Sequence, residues 1–188
     1  MQLEQPLEGY QVRLRNILRD DLELLRQWRN SDHVRKFMLT DGYITQEQQQ
    51  AWFEHIRRAT NQLHFVIEYR GHPIGSCNIK TRGQAADIFS AEHFELGLYI
   101  GDEQYAGNVI AFSPTLLMND FCFEQLHANQ LHAVVKPDNL AAMRYNEKLG
   151  YKIVNRGELF ELVLDRQHYD EHSKVLKTLL NRPPRQKT

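Results

Sequence analysis

Residues 94–151 read FELGLYIGDEQYAGNVIAFSPTLLMNDFCFEQLHANQLHAVVKPDNLAAMRYNEKLGY, and this stretch decides the fold. Phe94, Leu96, Leu98 and Ile100 alternate with Glu95, Gly97 and Tyr99, the period-two pattern of a strand with one packed face. A glycine-turned loop over 101–108 leads to a helix in which Leu117/Phe121 and Met118/Cys122 are i,i+4 apolar pairs. Pro114 belongs in the first turns of that helix, because deeper inside it would remove a hydrogen bond and clash with the preceding turn. Leu131–Val135 forms a second strand; Asp138 or Asn139 can cap the next helix, and Gly150 can end it in a left-handed conformation. A unit of this order can hold a phosphorylated ligand with main-chain groups, so few conspicuous side chains are needed.

Working upstream, residues 12–17 read as a first strand, and Asp20 or Asp21 can cap a helix that carries Leu22, Leu25 and Trp28 on one side. Thr45 and Gln48 make a capping-box pattern, and Trp52 and Ile56 an apolar pair, for a second helix through about Arg58. The 31–44 segment between them reads as a mobile loop. Strands over 63–69 and 74–80 flank Arg70-Gly71-His72-Pro73, a hairpin turn, and a polar nonperiodic connection follows over 81–92. Downstream, 151–155 and 158–164 form an antiparallel pair around Arg156-Gly157, and a helix runs over roughly 168–180. Pro183-Pro184 and the polar end predict a frayed tail over 182–188.

The chain has 188 residues, enough for one substantial core, and a single domain is expected over 1–188. Its formal charge of −1 argues against a protein that tracks a nucleic-acid backbone. No stretch reaches the roughly 20 apolar residues that span a bilayer, so no membrane insertion and a cytoplasmic location are expected. Cys77 and Cys122 sit in apolar contexts and read as buried thiols. His168 and His172 can share a helix face, but HExxH spacing and a third ligand are missing, so packing or surface roles are favoured and no metal is expected. Ser76 lacks a G-x-S-x-G elbow.

This order resembles the GCN5-related N-acetyltransferase (GNAT) superfamily over nearly the whole chain. The resemblance implies an α/β (α+β) fold with a mixed, mostly antiparallel central sheet flanked by helices. Gln104-Tyr105-Ala106-Gly107-Asn108-Val109 stands in the place of the family's Q/R-x-x-G-x-G/A acyl-CoA signature, with Val109 departing from the final Gly or Ala. Asn139 to Tyr151 is similar to the family's N-x-x-A…Y-E-K-x-G-F/Y segment beside the pantetheine arm. The resemblance implies acetyl-CoA as donor, contacted by Leu98, Tyr99, Ile100, Gln104, Ala106, Gly107, Asn108, Val109, Ile110, Ala111, Asn139, Ala142, Asn146 and Lys148. It further implies direct acetyl transfer to an amine, helped by orientation and by stabilisation of the developing oxygen charge.

Glu95 is the candidate for accepting the amine proton, directly or through water, with a solvated sheet residue as the plainer reading. Asn146 stands where the family often has the tyrosine that protonates the departing thiolate, and Tyr145 is one residue earlier. One residue along a helix is about 100°, so Tyr145 does not simply inherit that role. Asn146 can hold water near the sulfur, and a thiol is already a relatively good leaving group. Trp28-Arg29-Asn30 followed by His33-Val34-Arg35-Lys36 resembles the start of acetyltransferases acting on nucleotide-linked 4-amino sugars, with Arg29, Arg35 or Lys36 toward a diphosphate. Trp28, Asn30 and Asn78 complete the candidate acceptor residues. The expected acceptor is a UDP-linked 4-amino-4,6-dideoxy sugar of the kind used for bacterial surface glycans. A protein N-terminus is the alternative acceptor, and a noncatalytic acyl-CoA-binding module is a third reading, encouraged by Val109. A homodimer through a free sheet edge stays open.

Overall fold

The computed structural model describes residues 2–84 and 87–182. Eight strands form one sheet: β1 (Leu7–Gly9), β2 (Val12–Asn16), β3 (Gln62–Tyr69), β4 (His72–Thr81), β5 (His93–Ile100), β6 (Gln130–Val135), β7 (Lys152–Arg156) and β8 (Phe160–Leu164). Their order is β1-β2-β3-β4-β5-β6-β8-β7, antiparallel throughout except for the parallel β5–β6 pair. This is the mixed, mostly antiparallel sheet that the resemblance implied.

Two helical layers cover it. On one side, α1 (Leu22–Asn30) and α3 (Gln46–Arg58) close a small core of Ile17, Leu22, Leu25, Phe53, Ile56 and Val66. Thr45 and Gln48 form the expected reciprocal cap of α3, satisfying donors that the first helical turn leaves open. On the other side, α4 (Ser113–Glu124) is buried almost all round, because the sheet lies beneath it and α6 (Arg166–Leu180) above it. Tyr169 of α6 donates to Leu116 O at 3.0 Å and to Asp120 at 2.7 Å, and Lys177 reaches the same carboxylate at 2.7 Å. Cys77 and Cys122 are free, buried thiols, and burial pushes both thiol pKa values up.

Several expectations are corrected. A short strand, β1, precedes the predicted first strand, joined to β2 by Tyr10 and Gln11 with φ of 51° and 67°. Such turns usually announce themselves with glycine. Here tertiary contacts compensate: the Tyr10 hydroxyl donates to Asp120, and Gln11 donates to Leu180 O at 3.0 Å. Asp21 precedes α1 without capping it by a side-chain bond. Its carboxylate instead accepts from Leu18 N at 2.7 Å and from Arg15 at 2.7 and 2.8 Å. The 31–44 segment is not an open loop: it contains a one-turn helix, α2 (Asp32–Arg35), and its far end is clamped by Asn30, which donates to Ile44 O and accepts from Ile44 N. Pro73 lies inside β4, beside a register shift at Ile67/Glu68 that accommodates its missing donor. Of the 81–92 connection, residues 85 and 86 lie outside the described residues, as does the expected frayed tail from 183 on.

Candidate active site

β5 and β6 are paired only where His93, Glu95 and their neighbour meet Gln130, Leu131 and His132. Beyond Glu95, β5 continues to pair with β4 as far as Ile100, and β6 continues to pair with β8 as far as Val135, but not with each other. The β5 edge from Leu96 onward, including Leu98, Tyr99 and Ile100, is therefore left without a strand partner on its β6 side. Unpaired strand edges present a row of N–H and C=O groups.

The loop at the open end begins with Asp102, whose carboxylate caps Gln104 N at 3.0 Å. Ala106 follows, and Gly107 takes φ of +75°, where a side chain would be strained although nothing would touch its Cβ. Asn108 then caps the 3-10 turn Val109–Phe112, accepting from Ile110 N at 3.1 Å through its side chain and from Ala111 N at 3.0 Å through its carbonyl. The phosphate-facing helix expected directly after Gly107 is thus a 3-10 turn followed by α4. Among the described residues, the N–H groups of Gly107 and Val109 find no acceptor, while those of Asn108, Ile110 and Ala111 are used internally. Val109 is exposed, whereas Ile110 and Ala111 face the core.

Across the gap stands α5 (Leu140–Lys148), which Asn139 caps by accepting from Ala142 N at 3.0 Å. The Tyr145 hydroxyl donates to Ala111 O at 2.9 Å and accepts from Thr115 at 2.6 Å. Its ring stacks on Phe112 with centroids 4.5 Å apart, and Lys148 lies over the same Phe112 ring. Burial raises the Tyr145 pKa. The phenol therefore braces α5 against the loop and α4. Asn146 is buried and donates back to Ala142 O at 2.9 Å, bonding within its own helix.

On the α1 side of the sheet, strand alternation puts Glu95, Gly97 and Tyr99 of β5 on one face with Lys80, Asn78 and Ser76 of β4. Asn78 lies against Gly97, where a Cβ would come within 3.1 Å of its amide nitrogen. Ser76 is buried and donates to Phe65 O at 2.8 Å. Tyr99 is pushed up by burial, an effect opposed first by the nearby charge of Arg29. Arg29 itself reaches Thr40 O at 3.3 Å through Nη2, while its Nη1 is buried without a hydrogen-bond partner. Desolvation lowers the guanidinium pKa. Trp28 packs over Gly101 so closely that a Cβ there would lie 2.1 Å from the indole. His33 bonds to Gly101 O at 3.1 Å and approaches Glu103 at 3.4 Å.

Glu95, Asn78, Tyr99 and Arg29 thus share one side of the sheet. Arg35 instead pairs with Asp32 of its own short helix. Lys36 offers its carbonyl to Lys136 and its ammonium to the Phe37 ring. The sequence reading missed a group beside Glu95. His132 is its register partner on β6, and His93 lies next to both. Period-two alternation through Gln130, His132 and Val134 was the available signal, but the pairing of β5 with β6 was not. His168 is bonded to Asp165 and Lys152, and His172 packs on Gly150.

The model of the acetyltransferase (GNAT) domain family matches residues 11–152. The chain belongs to this family. No curated protein sequence matches the chain, but solved structures do. An uncharacterized protein from Bacillus halodurans superposes with a TM-score of 0.81 at 16% identity, covering 94% of this chain and 98% of its own. Mycobacterium smegmatis RimJ in complex with CoA-disulfide gives 0.73 at 17% identity, over 95% of this chain and 92% of RimJ. The aminoglycoside acetyltransferase AAC(6')-Ib with coenzyme A and kanamycin gives 0.71 at 17% identity, over 85% and 98%. At these identities the likeness is one of fold. In this GNAT chain the Gly107 loop follows directly on the β5 edge that lacks a β6 partner.

Proposed function

We propose that this GNAT chain binds acetyl-CoA between β5 and β6 and transfers its acetyl group directly to an amine presented on the Glu95 face. The parting of the two strands beside the Gly107 loop carries this reading. The residues fit the group: the free β5 edge can pair with the amides of an extended pantetheine arm, and the unused N–H groups of Gly107 and Val109 can meet pyrophosphate oxygens. Acetyl-CoA supplies an activated thioester carbonyl. Glu95 takes a proton from the acceptor ammonium, freeing the nitrogen lone pair to attack, while the β5 edge orients the two partners. Asn139 and Tyr145 serve by fixing α5. With Tyr145 bound to Ala111 and Thr115, the proton that the departing sulfur requires comes through water from the attacking nitrogen, which sheds its second proton as the amide forms.

For the acceptor, the reading is a nucleotide-linked 4-amino-4,6-dideoxy sugar. The buried, unpartnered Nη1 of Arg29 supports it, since a guanidinium without a counter-charge suits a phosphate oxygen. Asn78, beside Gly97, can meet the sugar. The test incubates the protein with acetyl-CoA and either UDP-linked 4-amino sugars or ribosomal N-terminal peptides, with acetyl addition read by mass spectrometry. Acetylation of the sugar is expected. Acetylation of the peptides alone would move the acceptor to protein N-termini, and saturable CoA binding with no transfer would leave a noncatalytic acyl-CoA-binding module.

A further inference from the structure

The cluster next to Glu95 has no part in the chemistry described so far. Glu95 of β5 and His132 of β6 are register partners in a parallel pair, so their side chains leave the same face of adjacent strands about 5 Å apart. His132 Nε2 lies 3.4 Å from His93 Nδ1, and the two rings are 5.7 Å apart between centroids. His132 Nδ1 has no protein partner among the described residues.

The charged and titratable groups around His132 come from three elements. From β4 and its end come Lys80 and Arg82, from β5 His93 and Glu95, and from β8 Glu161, which is bonded to Arg82 at 2.7 Å. Burial first, then Arg82 and His93, depress the His132 pKa to about 4, against a smaller upward pull from Glu161. Near neutral pH its ring is an uncharged imidazole, with one nitrogen able to accept while the other donates.

Resting on the acetyl-transfer reading above, we propose that His132 and His93 carry the proton from Glu95 out to solvent. The step is balanced. Glu95 gives the proton taken from the ammonium to His132 Nδ1, directly or through one water; His132 releases its Nε2 proton to His93 Nδ1; His93 releases its own Nε2 proton to water. No bond other than N–H and O–H changes; Glu95 returns to the carboxylate, and both rings, left with the proton on Nδ1, regain the Nε2–H tautomer by exchange with water before the next turnover. The two histidines act through Glu95 and need not touch the acceptor.

The test has two arms. In the first, the wild-type chain, His132→Gln and His93→Gln are assayed in dilute buffer with whichever amine the wild type acetylates. Expected are a fall in kcat of about 10-fold or more for His132→Gln, a smaller fall for His93→Gln, and recovery in both as imidazole is added. Unchanged kcat, or a loss that imidazole does not restore in a folded variant, would overturn the relay. The second arm needs no turnover: imidazole nitrogen shifts are followed by NMR against pH. Glu95→Gln and His93→Gln should each displace the His132 titration, and a His132 titration indifferent to both would sink the proposal. Absence of wild-type turnover with an intact NMR coupling would instead fault the transfer reading.

Discussion

The two sides of the groove treat their polar groups in opposite ways. Where α5 meets the loop, Tyr145, Thr115, Ala111, Asn139 and Asn146 are joined to one another or to nearby backbone. Across the sheet, near Glu95, Arg29 and Arg82 each bury a guanidinium nitrogen with no partner, and His132 keeps one ring nitrogen open. Unmade hydrogen bonds in a desolvated place are costly. Among the described residues others lie in α4 and α6, at Ser113, Asn119 and Ser173, so what sets this face apart is that its unpartnered guanidinium nitrogens are charged donors. In the proposed reading the α5 side is scaffold and the open chemistry lies with the acceptor.

This contrast can be broken most sharply at Glu95. Glu95→Gln is expected to lower kcat by about 100-fold while leaving CoA affinity by calorimetry unchanged. Retention of the wild-type rate would remove the carboxylate from the reaction.

Next in size, Arg29→Met should raise the acceptor KM by about 10-fold with little change in kcat, since a charge-assisted contact is worth roughly 1.5–3 kcal/mol. Urea midpoints should change little, because the bond lost, from Nη2 to Thr40 O, is long and exposed and the buried Nη1 has no partner. A large stability loss with an unaltered KM would make Arg29 part of the scaffold after all.

Tyr145→Phe is expected to behave in the reverse sense. It leaves Ala111 O and the Thr115 hydroxyl without their partner and should cost about 1–2 kcal/mol in chemical denaturation, with kcat changed less than about 3-fold. A collapse of kcat in a stable protein would restore the phenol as an acid.

The smallest effect is on pH dependence. Burial, helped by Lys80, holds His64 at about 3, and His132 stands at about 4, both below an ordinary value of 6.5. Unfolding therefore takes up protons as the solution is acidified. The stability contribution of the two neutral rings is complete above about pH 6.5 and is lost progressively as pH falls through 4 toward 3. His64→Gln should flatten urea midpoints measured across that interval, and an unchanged profile would show that His64 is protonated in the folded chain.

Local signals in the sequence translated well into local structure. The Thr45/Gln48 cap, the Asn139 cap, the alternation of β5 and the left-handed Gly150, with φ of 95°, depend on residues a few positions apart. Three features did not. The Tyr10-Gln11 turn lacks glycine and is stabilised by residues near the other end of the chain. The Asp21 carboxylate, suited by type to cap α1, is drawn instead to Arg15 and Leu18. His132 acquires its neighbours only when two strands far apart in sequence align in parallel, a register that neither strand encodes alone. The proposed donor side is made of consecutive segments and so carries local signals, whereas the proposed acceptor face is assembled from α1, β4, β5 and β6.

The Tyr10-Gln11 turn also sets an order of events during synthesis. Both residues hold left-handed backbone that costs on the order of 1 kcal/mol each. The Gln11 amide finds its acceptors at Leu180 and Arg182, 169 and 171 residues later. A ribosome adding about 5–20 residues per second leaves that corner unsupported for roughly ten seconds or more. The β1–β2 hairpin is thus made well before the helix that locks its corner, and until α6 arrives the strained turn holds its shape without the acceptors of Gln11.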